Sequence, residues 1–200
     1  MRIGILLSGG GTTYANLAAE MAAGRLPGEI CGVISSRAGV AGLDKAAANG
    51  HRHTVAKQPE AVSAALAEFD ADLVVMCGWM VFWDPPARWQ GRTLNIHPSL
   101  LPSFGGTGMY GRRVHDAVVA AGCKVSGCTA HLVAGAYDTG PILAQRVVPV
   151  LGTDQPADLE ARVQAAERQL YPLVVAALVE ARVVEQDGRL HIPNLPVWEQ

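Results

Sequence analysis

The sequence predicts an α/β fold, a doubly wound and mostly parallel sheet (Rossmann-like) with helices on both faces and a C-terminal β-hairpin. Three features predict it. Apolar runs of strand length recur along the first hundred residues, stretches of helical period separate them, and a glycine turn follows the first run directly. Continuously apolar strands are what a sheet buried on both faces requires, and their alternation with helices is the mark of parallel crossover units. Ligands of such sheets bind beyond the carboxyl ends of the strands.

The elements follow in order. RIGILLS is a strand, residues 14–23 a helix, ICGVISS a strand, residues 42–49 a helix and HTVA a short strand. Residues 59–69 read as a helix, DLVVMC as a buried strand, and TLNI as a strand running straight into HPSLLP. After residue 102 come a glycine-rich loop, SFGGTGMYG, a helix over 112–121, and two strand-like runs, SGCTAHLV and ILAQRVVPV. Residues 157–181 have helical period, and Pro172 is expected to kink or divide that helix because it removes a donor and crowds the preceding turn. Asp187-Gly188 between VVEQ and RLHI signals a hairpin. No break in composition divides the chain, so residues 1–200 are expected to form a single domain.

Composition narrows the function. Sixteen basic and 18 acidic side chains give a formal charge of −2, with 50% of residues hydrophobic. A long nucleic-acid partner is disfavoured, since such binders draw most of their affinity from a basic excess. A small anion is not disfavoured, because a few backbone amides suffice to hold one phosphate. Cys31, Cys77, Cys123 and Cys128 show no paired spacing for zinc and read as thiols of a reducing cytoplasm. The N-terminal apolar run is too short for a signal peptide or membrane span, so a cytoplasmic protein without membrane partners is expected.

Two segments carry chemistry. Gly9, Gly10 and Gly11 follow the first strand, and Thr12 and Thr13 open the first helix. Without β-carbons such a turn lets a phosphate reach the helix's unpaired amides, although a glycine turn that merely packs strand against helix reads the same way. A dinucleotide site would need an acidic residue closing the second strand, where Ser35, Ser36 and Arg37 stand, and no GKS or GKT marks a Walker loop. In the second segment, Asn95 and His97 lie two apart at a strand end, so both project to one side. An imidazole that exchanges protons near neutrality and a carboxamide that donates to a developing oxyanion suit acyl transfer. A lone histidine is otherwise a structural one, and Pro98 and Pro102 otherwise shape a loop.

The string NIHPSLLPSF, with SGGG near the start, SGCTAHLV downstream and AYDTGPILAQRVVPV after it, resembles the phosphoribosylglycinamide formyltransferases, folate-dependent enzymes of purine synthesis. The resemblance runs from Arg2 to about Pro172. It implies transfer of the formyl group of 10-formyltetrahydrofolate, as co-substrate, to the amine of glycinamide ribonucleotide, without metal. It implies Asn95, His97 and Asp138 as the catalytic set; taken alone, Asp138 is a turn residue before Thr139-Gly140-Pro141. It places the ribotide phosphate at Gly10, Gly11, Thr12 and Thr13, and the glycinamide and ribose at Gln164 and Glu167, which share one helical face. The folate pocket it implies is Met80, Val81, Phe82, Trp83 and Asn95 with Ala134, Gly135, Ala136, Tyr137 and Asp138; Trp79 and Trp83 read equally as core. Thr129 and His131, on alternate positions of one strand, are expected beside the catalytic pair.

The chain departs from the family at Thr13, where asparagine is common, at Val81, where arginine is common, and before Phe69, where the helix region is shortened. His115 reads either as approaching the substrate or as a surface helix residue. A monomer or homodimer is expected. Two alternatives stand beside this reading: a related formyltransferase acting on another amine, and a nucleotide-binding module without chemistry.

Overall fold

Seven strands form the main sheet in the order β3-β2-β1-β4-β5-β6-β7, and a separate two-stranded hairpin, β8-β9, follows. The computed structural model describes residues 1–195, so the last five residues of the expected 1–200 domain lie outside the description. The chain divides into two compact units, Met1–Asn95 and Ile96–Gln200.

In the first unit, β1 (Arg2–Leu7), β2 (Glu29–Ser35), β3 (His53–Val55) and β4 (Leu73–Met76) alternate with α1 (Thr12–Ala22), α2 (Ala41–Ala48) and α3 (Pro59–Glu68). β1 pairs in parallel with both β2 and β4, and β2 with β3. Ile3, Ile5, Leu6, Val33, Ile34, Val74 and Val75 are fully buried, as continuous apolar runs require. Gly32 permits the close approach of the α3 end: a β-carbon there would stand 2.1 Å from the Phe69 ring. β5 (Thr93–His97) begins in this unit, with Asn95 in register with Met76 of β4. A 3-10 turn at Ala87–Trp89, absent from the sequence reading, precedes it.

The second unit holds α4 (Arg112–Ala120), β6 (Val125–Leu132), β7 (Ile142–Pro149), α5 (Pro156–Val179), β8 (Val184–Gln186) and β9 (Arg189–His191). β6 and β7 are antiparallel, with Thr129 opposite Gln145, and β8 and β9 close the predicted hairpin around Asp187 and Gly188. α5 starts with Pro156 at its first turn and Asp158 accepting a 2.9 Å bond from the Gln155 amide. Its buried Leu159, Val163, Ala166, Leu170, Val174 and Ala177 recur at three and four residues, giving a face that packs on β6, β7 and α4.

Of the two outcomes expected of this helix at Pro172, a kink or a division, the second is corrected. Pro172 does not divide it: α5 is one helix of 24 residues with Pro172 inside. Pro172 and its neighbours Leu170, Tyr171, Val174 and Val175 are all buried, so packing outweighs the missing backbone donor.

Candidate active site

The glycine turn of the first unit presents donors and hides acceptors. Gly11 is the N-cap of α1 at φ 65, and no side chain caps the helix or places an acid in its first turn. Its left-handed φ and the 2.7 Å that would separate a β-carbon from the Gly42 Cα make glycine obligatory. The carbonyls are taken in turn: Arg37 Nε donates to Ser8 O at 3.0 Å, Gly42 N to Gly9 O at 3.1 Å, Lys45 Nζ to Gly10 O at 2.7 Å, and Ala15 N to Gly11 O at 2.9 Å. With its acceptors occupied, the turn offers amides to a ligand, and the helix dipole and two cations add positive potential. Lys45 had no signal in the sequence. Arg37 stands where a dinucleotide enzyme carries its acid, and here it ties down the turn.

Past β4, Met80 and Phe82 are 46% and 45% exposed, an apolar edge fit for a flat ring. The Met80 amide donates to Ser8 Oγ at 2.9 Å, which ties this edge to the glycine turn. Trp83 is different: it is 2% exposed, donates to Ser63 Oγ at 3.2 Å and packs on Trp89 at 6.0 Å, so of its two readings the core one describes it. Trp79 is half-buried, and its indole nitrogen is buried with no hydrogen-bond partner among the described residues.

In the second unit, Asp138 lies between two histidines. Its Oδ2 is 3.4 Å from His97 Nδ1 and its Oδ1 is 3.6 Å from His131 Nε2. The Gly106 amide donates to Oδ2 at 2.9 Å. The other nitrogen of each ring meets a backbone carbonyl: His97 Nε2 donates to Phe104 O at 2.8 Å, and His131 Nδ1 to Leu132 O at 2.9 Å. A neutral imidazole carries one N–H, so a proton added to either ring is met by the same carboxylate.

Burial lowers the pKa of His97, and neighbouring His131 acts the same way, while Asp138 and the Phe104 carbonyl oppose it. The free chain therefore holds His97 neutral near pH 7. For Asp138 burial acts upward, but the His131 hydrogen bond, the His97 charge and the Gly106 amide outweigh it and lower its pKa. Asp138 adopts φ 58, a left-handed conformation uncommon outside glycine. Its loop is held by Thr139 Oγ1, which donates to Ala134 O and Ala136 O at 3.2 Å each. Ala134, Gly135, Ala136 and Tyr137 are mostly exposed.

Thr129 is fully buried and holds the loop after His97: it donates to Ser99 O at 2.6 Å and accepts from Leu101 N at 3.0 Å. Gln145, which the sequence reading passed over, donates to both Thr129 Oγ1 and Leu101 O at 3.0 Å. Of the two readings of His115 the surface one fails: the residue is buried, 2% exposed, with Nδ1 unpartnered among the described residues. On α5, Glu167 is half-buried with its carboxyl pushed up to about 7 by burial, while Gln164 is exposed and bonds Glu160 at 3.2 Å. No cluster of three or more metal-ligating side chains occurs among the described residues, and no helix among them is long and apolar enough to cross a membrane.

Comparison with known proteins places the chain in a family. The formyl transferase model matches residues 1–175. A chloroplastic phosphoribosylglycinamide formyltransferase of Vigna unguiculata is 39% identical over 199 residues, which cover 94% of this chain and 64% of that protein, so the chain spans just under two thirds of that relative. The Arabidopsis thaliana protein of the same name is 34% identical over 96% of this chain and 70% of its own length. Glycinamide ribonucleotide transformylase 1 of Symbiobacterium toebii superposes with a TM-score of 0.87 at 36% identity, covering 96% of this chain and 93% of that one. The chain thus belongs to the formyl transferase family.

Proposed function

We propose that this protein transfers the formyl group of 10-formyltetrahydrofolate to the amine of glycinamide ribonucleotide, a step of purine synthesis. The observation that carries the mechanism is Asp138 set 3.4 Å from His97 and 3.6 Å from His131. The substrate amine attacks the formyl carbon, a C–N bond forms and the formyl oxygen becomes an oxyanion. Asn95 donates to that oxyanion, and neutral His97 takes the proton the amine sheds. Asp138 then faces an imidazolium, which it stabilises. Collapse of the intermediate breaks the bond to folate N10, and the proton is delivered to that nitrogen.

The ribotide phosphate occupies Gly10, Gly11, Thr12 and Thr13, where spare amides and the cations Arg37 and Lys45 support the assignment. At Thr13 the backbone amide serves as well as it would from asparagine. Gln164 and Glu167 hold the ribose and glycinamide. For the folate ring we assign Met80, Val81 and Phe82 of the first unit, with Trp83 supporting that edge from the core, and, separately, residues 134–138 of the second unit.

The test incubates the purified chain with 10-formyltetrahydrofolate and glycinamide ribonucleotide and follows tetrahydrofolate release. Amine-dependent release is expected, with kcat lowered by orders of magnitude in His97→Ala and Asp138→Asn while ribotide binding persists. Release that ignores the amine would mark a hydrolase instead, and near-normal rates in either variant would refute the mechanism.

A further inference from the structure

Both nitrogens of His97 are not equally placed, and the loop behind it decides which one is reactive. Nε2 is committed to Phe104 O at 2.8 Å, whereas Nδ1 stands 3.4 Å from Asp138, longer than a formed N–H···O bond. Phe104 can present its carbonyl only because the chain folds back sharply after His97. Phe104 sits at φ 55, a left-handed conformation that a phenylalanine holds only where its surroundings enforce it.

Those surroundings form a continuous series of hydrogen bonds. Ser99, fully buried, donates through Oγ to Ser103 O at 2.6 Å and reaches Phe104 O at 3.5 Å. Its own carbonyl accepts from Thr129 Oγ1 at 2.6 Å. Thr129 Oγ1 in turn accepts from Gln145 Nε2 at 3.0 Å, and the same amide holds Leu101 O. Thr129 and Gln145 are opposite each other in the β6–β7 register, so the series is anchored on the sheet rather than on another loop.

We propose that Ser99 and Gln145 are positioning residues that fix His97 in its Nε2-protonated form, leaving Nδ1 as the nitrogen that takes up the substrate's proton. The series holds the Phe104 carbonyl, the carbonyl holds the Nε2 proton, and Nδ1 keeps its lone pair on the side of Asp138. This inference rests on the reading of His97 as the reacting histidine. Outer partners that orient a histidine generally govern its tautomer in this way.

The test is nitrogen-15 magnetic resonance of histidine-labelled protein, with His97 identified among the six histidines by its loss in His97→Ala. The wild type is expected to show the Nε2-protonated tautomer. Ser99→Ala removes the tie to Ser103, and Gln145→Glu keeps the shape but not the donor. Each should admit the Nδ1-protonated form and lower kcat roughly ten- to hundredfold with little change in ribotide KM. If Ser99→Ala fails to fold, Gln145→Glu carries the test from the half-buried end of the series. A wild-type ring protonated on Nδ1, or variants that lose rate with the tautomer unchanged, would overturn the proposal. An active His97→Ala would instead overturn the reading beneath it.

Discussion

Glu167→Gln is expected to stabilise the chain above neutral pH and weaken its hold on the ribotide. Burial raises the Glu167 carboxyl from its ordinary 4.5 to about 7; nearby Glu160 adds to the rise and Arg168 opposes it. A pKa higher in the folded state than in the unfolded one means that the folded chain holds more protons between those values. Stability therefore falls as pH climbs from 4.5 through 7 and stays lowered above. At about 1.4 kcal/mol for each unit, the whole rise is worth at most about 3.5 kcal/mol. Solvent reaching the half-buried side chain reduces that, to about 1–3 kcal/mol. Glutamine keeps the shape and never ionises, so Tm at pH 8 should exceed wild type by roughly 3–10 °C for a chain of this size. At pH 5, where the glutamate is largely neutral, the two should nearly coincide. Thermal unfolding at both pH values is the assay. An equal Tm difference at pH 5 and pH 8, or a less stable variant at pH 8, would refute the account of Glu167 as a buried acid.

Gly11→Val forces a β-branched residue to φ 65 and drives its Cβ to 2.7 Å from the Gly42 Cα; strain of this kind costs about 1–3 kcal/mol, and ribotide binding measured by calorimetry should disappear. Leu66→Ala empties a fully buried position of α3 and should cost about 2–5 kcal/mol in urea unfolding. The acid limb of kcat/KM should lie below pH 6.5, because burial lowers the His97 pKa of the free chain and the neutral ring is the proposed working form; rate is lost as pH falls through the lowered pKa. In Asp138→Asn the residual activity should show this limb displaced to lower pH still, since the carboxylate that favours the imidazolium is gone.

The sequence made the fold readable because its strands are apolar throughout and its helices are not, so the period of the pattern changes at nearly every element boundary. Division of the helix at Pro172 did not follow, because a local rule about the backbone says nothing of what the surrounding side chains gain by staying buried. His115 was ambiguous in a helix that reads RRVHD. Only packing shows that Val114, His115 and Val118 share the inward face. At the candidate site, the placement of Asn95 and His97 on one strand was legible from their spacing. The approach of Asp138 to His97 and His131 was not, since it depends on a loop that brings Asp138 back to residues 41 and 7 positions earlier in the chain. Gln145 was hidden for the same reason: a polar residue on a two-period strand looks solvent-facing until its partner across the sheet is known.

The arrangement of two histidines around one carboxylate explains how a buried site can accept a proton at all. Burial alone disfavours an imidazolium, as the lowered His97 pKa records. The carboxylate stays ionised despite its own burial, because the Gly106 amide and both rings surround it. With His97 neutral and Asp138 ionised, this pair carries one negative charge before reaction. In the proposed transfer the attacking amine would yield its proton to His97, and the pair would become neutral instead of gaining isolated charge. In a medium of low dielectric, moving from a charged to a neutral cluster is the easier direction. His131 lies 3.6 Å from the second carboxylate oxygen, and in the proposed transfer its competition for that charge would let the proton leave again for the departing folate nitrogen. A residue that bound the His97 proton more tightly would speed the first half of the transfer and slow the second. On this argument His131→Phe should raise the His97 pKa by removing a competing ring, yet lower kcat by trapping the imidazolium.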